Sequence, residues 1–190
     1  MSGRPFVVIT AATAAEVCGR FNIKKEALAL LRDGMLPGEF AEALMAGKQY
    51  VTSIDYMAHA LPAREAVWWG CLCLQHACGD NLPPLDKEAC RAAVQWVVQP
   101  TEWNCAAALA PAQAAGMASP AGGLAMAVFQ TGGNVAPPGA PPMAPQPFAP
   151  AKAVAGAVKM ACTKADPMKI VETQRLFVEL AMGMAEGQGG

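Results

Sequence analysis

Charge is scarce in this chain. Of 190 residues only 15% are Asp, Glu, Lys or Arg, the formal net charge is -1, and no run of Lys and Arg occurs. Binding to phosphates needs a concentrated basic face, so neither nucleic acid nor an anionic membrane surface is an expected partner. Strand signals are nearly as rare. Only residues 6–10 (FVVIT) are rich in β-branched side chains, and one short strand has nothing evident to pair with. Catalytic patterns are missing too: there is no GxSxG, P-loop, HExxH or GxGxxG. The seven cysteines contain no CxxC pair. An odd, scattered set in a chain of this size argues against a secreted disulfide scaffold and for reduced, buried thiols in a cytoplasm.

A dense apolar run of membrane length is also lacking, although 54% of residues are hydrophobic and the mean hydropathy is +0.25. The best candidate, residues 106–128, is built largely of Ala and Gly and is interrupted by Pro111 and Pro120. A spanning helix needs about 20 strongly apolar residues, so no membrane span is expected. The N-terminal stretch resembles a weak signal peptide, but Glu16 and Arg20 interrupt it, and it reads as part of the fold. The apolar excess is therefore available for a core.

Helix signals recur at short intervals. Thr13 can cap AAEVCGRF, Asn22 can cap KKEALALLRD, and Pro37 opens PGEFAEALMA, which stops at Gly47. Ser53 can cap IDYMAHA, and residues 62–78 form a helix with Gly79 as its stop. Asp86 opens KEACRAAVQWVV, Thr101 caps EWNCAAALAPAQAA with Pro111 kinking or splitting it, and Ser119–Pro120 opens AGGLAMAVFQ. Residues 132–150 then hold seven prolines, with PxxP spacings at Pro138 with Pro141, Pro142 with Pro145 and Pro147 with Pro150. Such a segment favours extended polyproline II. Two helices follow, separated at Asp166–Pro167. In the first, Ala153, Ala157 and Ala161 form a small-residue face with Val154 and Val158 alongside.

The expected architecture is all-α: a compact multi-helix bundle around a central buried helix. It divides into a helical core over 1–131, a proline-rich strap or linker over 132–150 and a C-terminal helical pair over 151–186. Lone short helices are marginal, so the pair is expected to pack back on the core rather than hang from a tether.

The stretch LPAREAVWWGCLCLQHACG concentrates the residues that could carry chemistry. Metal binding would require Cys71, Cys73, His76 and Cys78 to converge, yet Cys71 and Cys73 sit about 200° apart on a helix. No metal and no cofactor is expected. Trp68 and Trp69 point in different directions, and the small or apolar residues around them suggest the helix at the centre of the fold, buried on all sides. Arg64 opposes the helix dipole in the first turn, and a buried charge needs a partner. Asp55, Glu102 or free backbone carbonyls are its candidates, with Glu65 and His59 joining the same internal polar clamp. Trp96 and Trp103 are expected to pack as core aromatics.

The run LPAREAVWW, followed by QWVVQPTEWN, SPAGGLAMAVFQTGG, the proline-rich APP segment and AKAVAGAVKMA, resembles an uncharacterised family of small helical bacterial proteins. Its Arg-Glu-Ala-Val-Trp-Trp core, Trp-Val-x-x-Pro turn and small-residue stretch ending in two glycines fall on Arg64, Glu65, Trp68, Trp69, Trp96, Pro100 and Gly133. The resemblance implies no assigned activity. It does imply genes sometimes placed near type VI secretion clusters, as suits an adaptor, chaperone or accessory component. The function expected on these grounds is a non-enzymatic, cytoplasmic adaptor acting through contacts with a protein partner, with the strap and the Ala-faced helix as contact surfaces. The alternative is an enzyme or small-molecule binder with a polar site around His59, Arg64 and Glu65.

Overall fold

The structure, a computed structural model, describes residues 6–136 and 139–188. It is all-α, with no strand among these residues. The helices are α1 (Ala14–Cys18), α2 (Lys25–Leu28), α3 (Pro37–Ala46), α4 (Tyr50–Ala60), α5 (Ala63–Cys78) and α6 (Pro84–Val98). They continue with α7 (Glu102–Ala107), α8 (Leu109–Ala115), α9 (Pro120–Phe129), α10 (Ala149–Lys164) and α11 (Ile170–Ala185), the last preceded by a 3-10 turn at Pro167–Lys169.

Several caps act as their residue types dictate. Thr13, Thr101 and Ser119 accept backbone N–H groups from Glu16, Asn104 and Gly122. Gly79 ends α5 at φ 53, a left-handed backbone that glycine adopts without a Cβ clash. Other signals act differently. Ser53 lies within the first turn of α4 and donates to Gln49 O at 3.0 Å, so that helix starts four residues earlier than a Ser53 cap implies. The helix after Asn22 is a single turn, because only Ala27 of it is buried and no apolar face holds it longer. Asp86 sits inside α6 and accepts from Ser119 Oγ at 2.7 Å, tying α6 to the start of α9. Pro111 splits its helix: having no N–H for the carbonyl of Ala107, it leaves α7 and α8 separated at Ala108. The FVVIT segment forms no strand. Its Val8 N–H donates to Ala185 O at 3.2 Å, at the end of α11.

The innermost helix is α9 rather than α5. Eight residues of α9 are buried, including Ala121, Gly122, Gly123, Leu124 and Ala125, and α5, α6, α8 and α10 all pack on it. Its small residues set how closely they approach. A Cβ on Gly122 would run into the carbonyl oxygen of Gly116, and one on Gly123 would lie 3.3 Å from Ala157 Cβ of α10. The paired glycines thus serve close packing. Helix α5 buries Ala66, Val67, Trp69, Gly70, Cys71, Cys73 and Leu74, but leaves Arg64 and Gln75 exposed and Trp68 half-buried. It is a one-sided helix, not an enclosed one.

Both C-terminal helices lie on this body. α10 packs on α9, α5 and α4 through Val154, Ala155, Ala157, Val158, Ala161 and Cys162, so its small-residue face is occupied from within. α11 packs on α4 and α5, and the buried Trp69 indole donates to Phe177 O at 2.7 Å. The proline-rich stretch between is not an extended rod. Val135 N–H donates to Met143 O at 2.8 Å, and Asn134 Oδ1 accepts from Ala136 and Met143, folding the segment back on itself. Pro137 and Pro138, and with them the Pro138–Pro141 spacing, lie outside the described residues.

Candidate functional site

The expected polar cluster divides in the structure. Arg64 is exposed and its Nε donates to Val97 O at 2.6 Å, capping a carbonyl of the last turn of α6. This is the backbone-carbonyl option, at the surface instead of inside. A cation suits that end of a helix dipole. Glu65 is half-buried and forms no hydrogen bond or ion pair among the described residues. Asp55 is taken by Lys159 of α10, at 2.6 Å, so it does not serve Arg64. Trp69 and Trp96 are buried, whereas Trp103 is 80% exposed. The expectation of a core position fails for Trp103 because α7 has only six residues and buries just Asn104 and Cys105.

The cysteines likewise diverge. All seven are free, and among the described residues no three of His, Cys, Asp and Glu stand together as a metal could require. Burial pushes the thiols of Cys18 and Cys162 up to about 11 and about 12, and that of Cys73 higher still. Cys71 of α5 is raised by its hydrogen bond to Cys90 of α6 and by burial, and Cys90 is lowered by that same bond.

Of the expected site residues, His59 lines a cavity among the described residues. It lies in the last turn of α4 and is 4% exposed. Its Nδ1 lies 2.7 Å from Asp55 O, one turn back, so the neutral ring donates there and leaves Nε2 as an acceptor. That Nε2 is buried and meets no hydrogen-bond partner among the described residues. Leaving a buried polar atom unsatisfied costs about 1–3 kcal/mol. Burial holds the His59 pKa below its ordinary 6.5; the Asp55 carbonyl and carboxylate oppose this, and the Lys152 and Arg20 charges add to it.

The surroundings of His59 come from four parts of the chain. Phe21 stacks on the imidazole with ring centroids 4.9 Å apart, and Phe148, the last strap residue before α10, lies at 6.3 Å. Phe148 holds a left-handed backbone at φ 57, unusual for a residue with a side chain. Arg20 donates from Nη1 to His59 O at 2.7 Å, and its guanidinium stands 5.9 Å from the Phe148 ring centroid. Beside them is a half-open cavity of about 240 Å³, walled by Ala58, Leu61, Ala63 and Ala66 on one side and Pro150, Ala151 and Val154 on the other. A second hollow of about 280 Å³ lies between α9 and the strap, edged by Met126, Gln130 and Met143. Sequence reasoning reached His59 but not Arg20, Phe21 or Phe148. These lie 39, 38 and 89 positions from it, and no local pattern joins them.

Fold and site together define a compact all-α protein with a small apolar cavity, one buried imidazole and one arginine at the mouth. The chain belongs to the family of unknown function DUF6931, whose match runs over residues 40–185, from within α3 to the end of α11. His59 and Phe148 fall inside that span and Arg20 outside it. No curated protein and no solved structure matches the chain.

Proposed function

We propose that this protein is a non-enzymatic helical adaptor, working in the cytoplasm through contact with a protein partner. The observation that carries the reading is Trp103, 80% exposed on a short helix held by a Thr101 cap, with Val98 73% exposed five positions earlier. Large apolar side chains presented by a rigid turn are the usual anchors of protein interfaces. The contact surface in this reading is that turn together with the strap, where Met143 is 51% and Phe148 45% exposed. The Ala-faced helix is left out of it, since its face is covered. An accessory role in a type VI-like secretion or assembly system is supported by the resemblance of the sequence motifs alone. The seven free thiols support the compartment.

The experiment is capture from a lysate of the host cell with the wild type, Trp103→Ser and a chain whose strap is replaced by Gly and Ser. A partner held by the wild type should fall about tenfold or more with Trp103→Ser, while the melting temperature stays put because the side chain is outside the core. Equal capture by Trp103→Ser removes the turn from the interface and the carrying observation with it.

A second reading, a small-molecule binder, is favoured by the unpartnered His59 Nε2 beside the cavity. Arg64 and Glu65 have no part in it, because neither lines that space.

A further inference from the structure

Two groups at the His59 cavity lack what each needs. Nε2 of His59 is an acceptor with no donor among the described residues, in a side chain that is 4% exposed. The Arg20 guanidinium carries five N–H donors and gives one of its nitrogens to His59 O; among the described residues it forms no other hydrogen bond and no ion pair. Among the described residues no carboxylate lines the cavity, and the nearby Asp55 is held by Lys159. Lys152, in the first turns of α10, adds a second positive charge close to His59. Arg20 is thus the charged group of the lining, and the apolar walls are alanine, proline, leucine and valine.

We propose that this cavity binds a small hydroxy acid: its carboxylate on Arg20, its apolar body against Ala58, Ala63, Ala66 and Val154, and its hydroxyl hydrogen donated to His59 Nε2. The proposal rests on the small-molecule reading and gives it a ligand class. A planar guanidinium pairs with a carboxylate better than a point charge does. A neutral imidazole already donating through Nδ1 selects for an O–H or N–H and against a second acceptor. Size selects as well. At about 240 Å³ the space is below the roughly 300–1,000 Å³ of a drug-sized pocket, which points to a ligand on the order of ten heavy atoms. Nε2 is also closed to solvent, so the donor reaches it when a flanking ring moves. Phe148 is that ring, being 45% exposed and on the strap, whereas Phe21 lies flat against the imidazole.

Three probes of similar shape separate the parts. Mandelate carries phenyl, hydroxyl and carboxylate; phenylacetate lacks the hydroxyl; benzyl alcohol lacks the carboxylate. Titration calorimetry, with the NMR methyl signals of Ala58, Ala63, Ala66 and Ala151 as a position marker, is run on the full chain. Mandelate is expected to bind and shift those methyls, with phenylacetate about fivefold weaker and benzyl alcohol about tenfold weaker or more. Arg20→Gln should bring mandelate down to the level of benzyl alcohol. Equal binding of all three, or mandelate binding undiminished in Arg20→Gln, overturns the hydroxy-acid class but keeps a cavity that binds small molecules. No methyl shift from any probe overturns both.

Discussion

Gly122 and Gly156 are both helical, but an alanine would meet opposite surroundings at the two. At Gly122 the added methyl runs into the backbone carbonyl of Gly116, which cannot swing aside, whereas nothing lies within 4 Å of the methyl at Gly156. Gly122→Ala should therefore destabilise by about 1–3 kcal/mol and Gly156→Ala should stabilise by about 0.5–1 kcal/mol, the helix-propensity gain. Urea melts of the two variants check both signs. His59 makes a prediction in pH. Its folded pKa lies below 6.5, so the unfolded chain takes up the proton first as pH falls. The contribution of neutral His59 is complete above 6.5, is lost progressively as pH drops below that value, and levels off once the folded pKa is passed. Arg20, Lys152 and the Asp55 carboxylate all act on the imidazole, the first two against the proton and the last for it. Denaturation midpoints of the wild type and His59→Leu, followed downward from neutrality, should diverge in slope below pH 6.5. Parallel curves would show that this imidazole has no part in acid sensitivity.

At the scale of helices, local chemistry carries far. The bounds of α3, α5 and α9 follow from Pro37, Gly47, Gly79, Ser119 and Pro120, because each acts within a turn of its own position. Pairings between helices are less legible. Trp69 reads as buried from its neighbours, but that its indole would reach Phe177, 108 positions away, is written in no local period. The same holds for Arg20 at His59 O. Trp103 misleads for a related reason: an aromatic flanking a turn looks like core until the length of its helix is known. The Trp69 contact yields a test. Trp69→Phe removes the N–H and part of the ring from a fully buried site, and should cost about 2–4 kcal/mol in a chemical melt. A loss below about 1 kcal/mol would mean that α11 is not fastened through this indole.

For the molecule as a whole, the C-terminal pair is a wall of the core. A chain ending at residue 131 would uncover the face of α9 that meets Ala157 and would strip Phe177 from Trp69. It is expected to lose its cooperative thermal transition and bind a hydrophobic dye, keeping much of its helical circular dichroism. A sharp transition near that of the full chain would make the pair an appendage. The innermost position of α9 also has a consequence in time. A ribosome adding roughly 5–20 residues per second needs about 2–7 s to travel the 35 positions from Phe129 to Lys164. For that interval the greasiest helix of the nascent protein waits without its last cover, which makes it a natural client for chaperones that shield emerging chains.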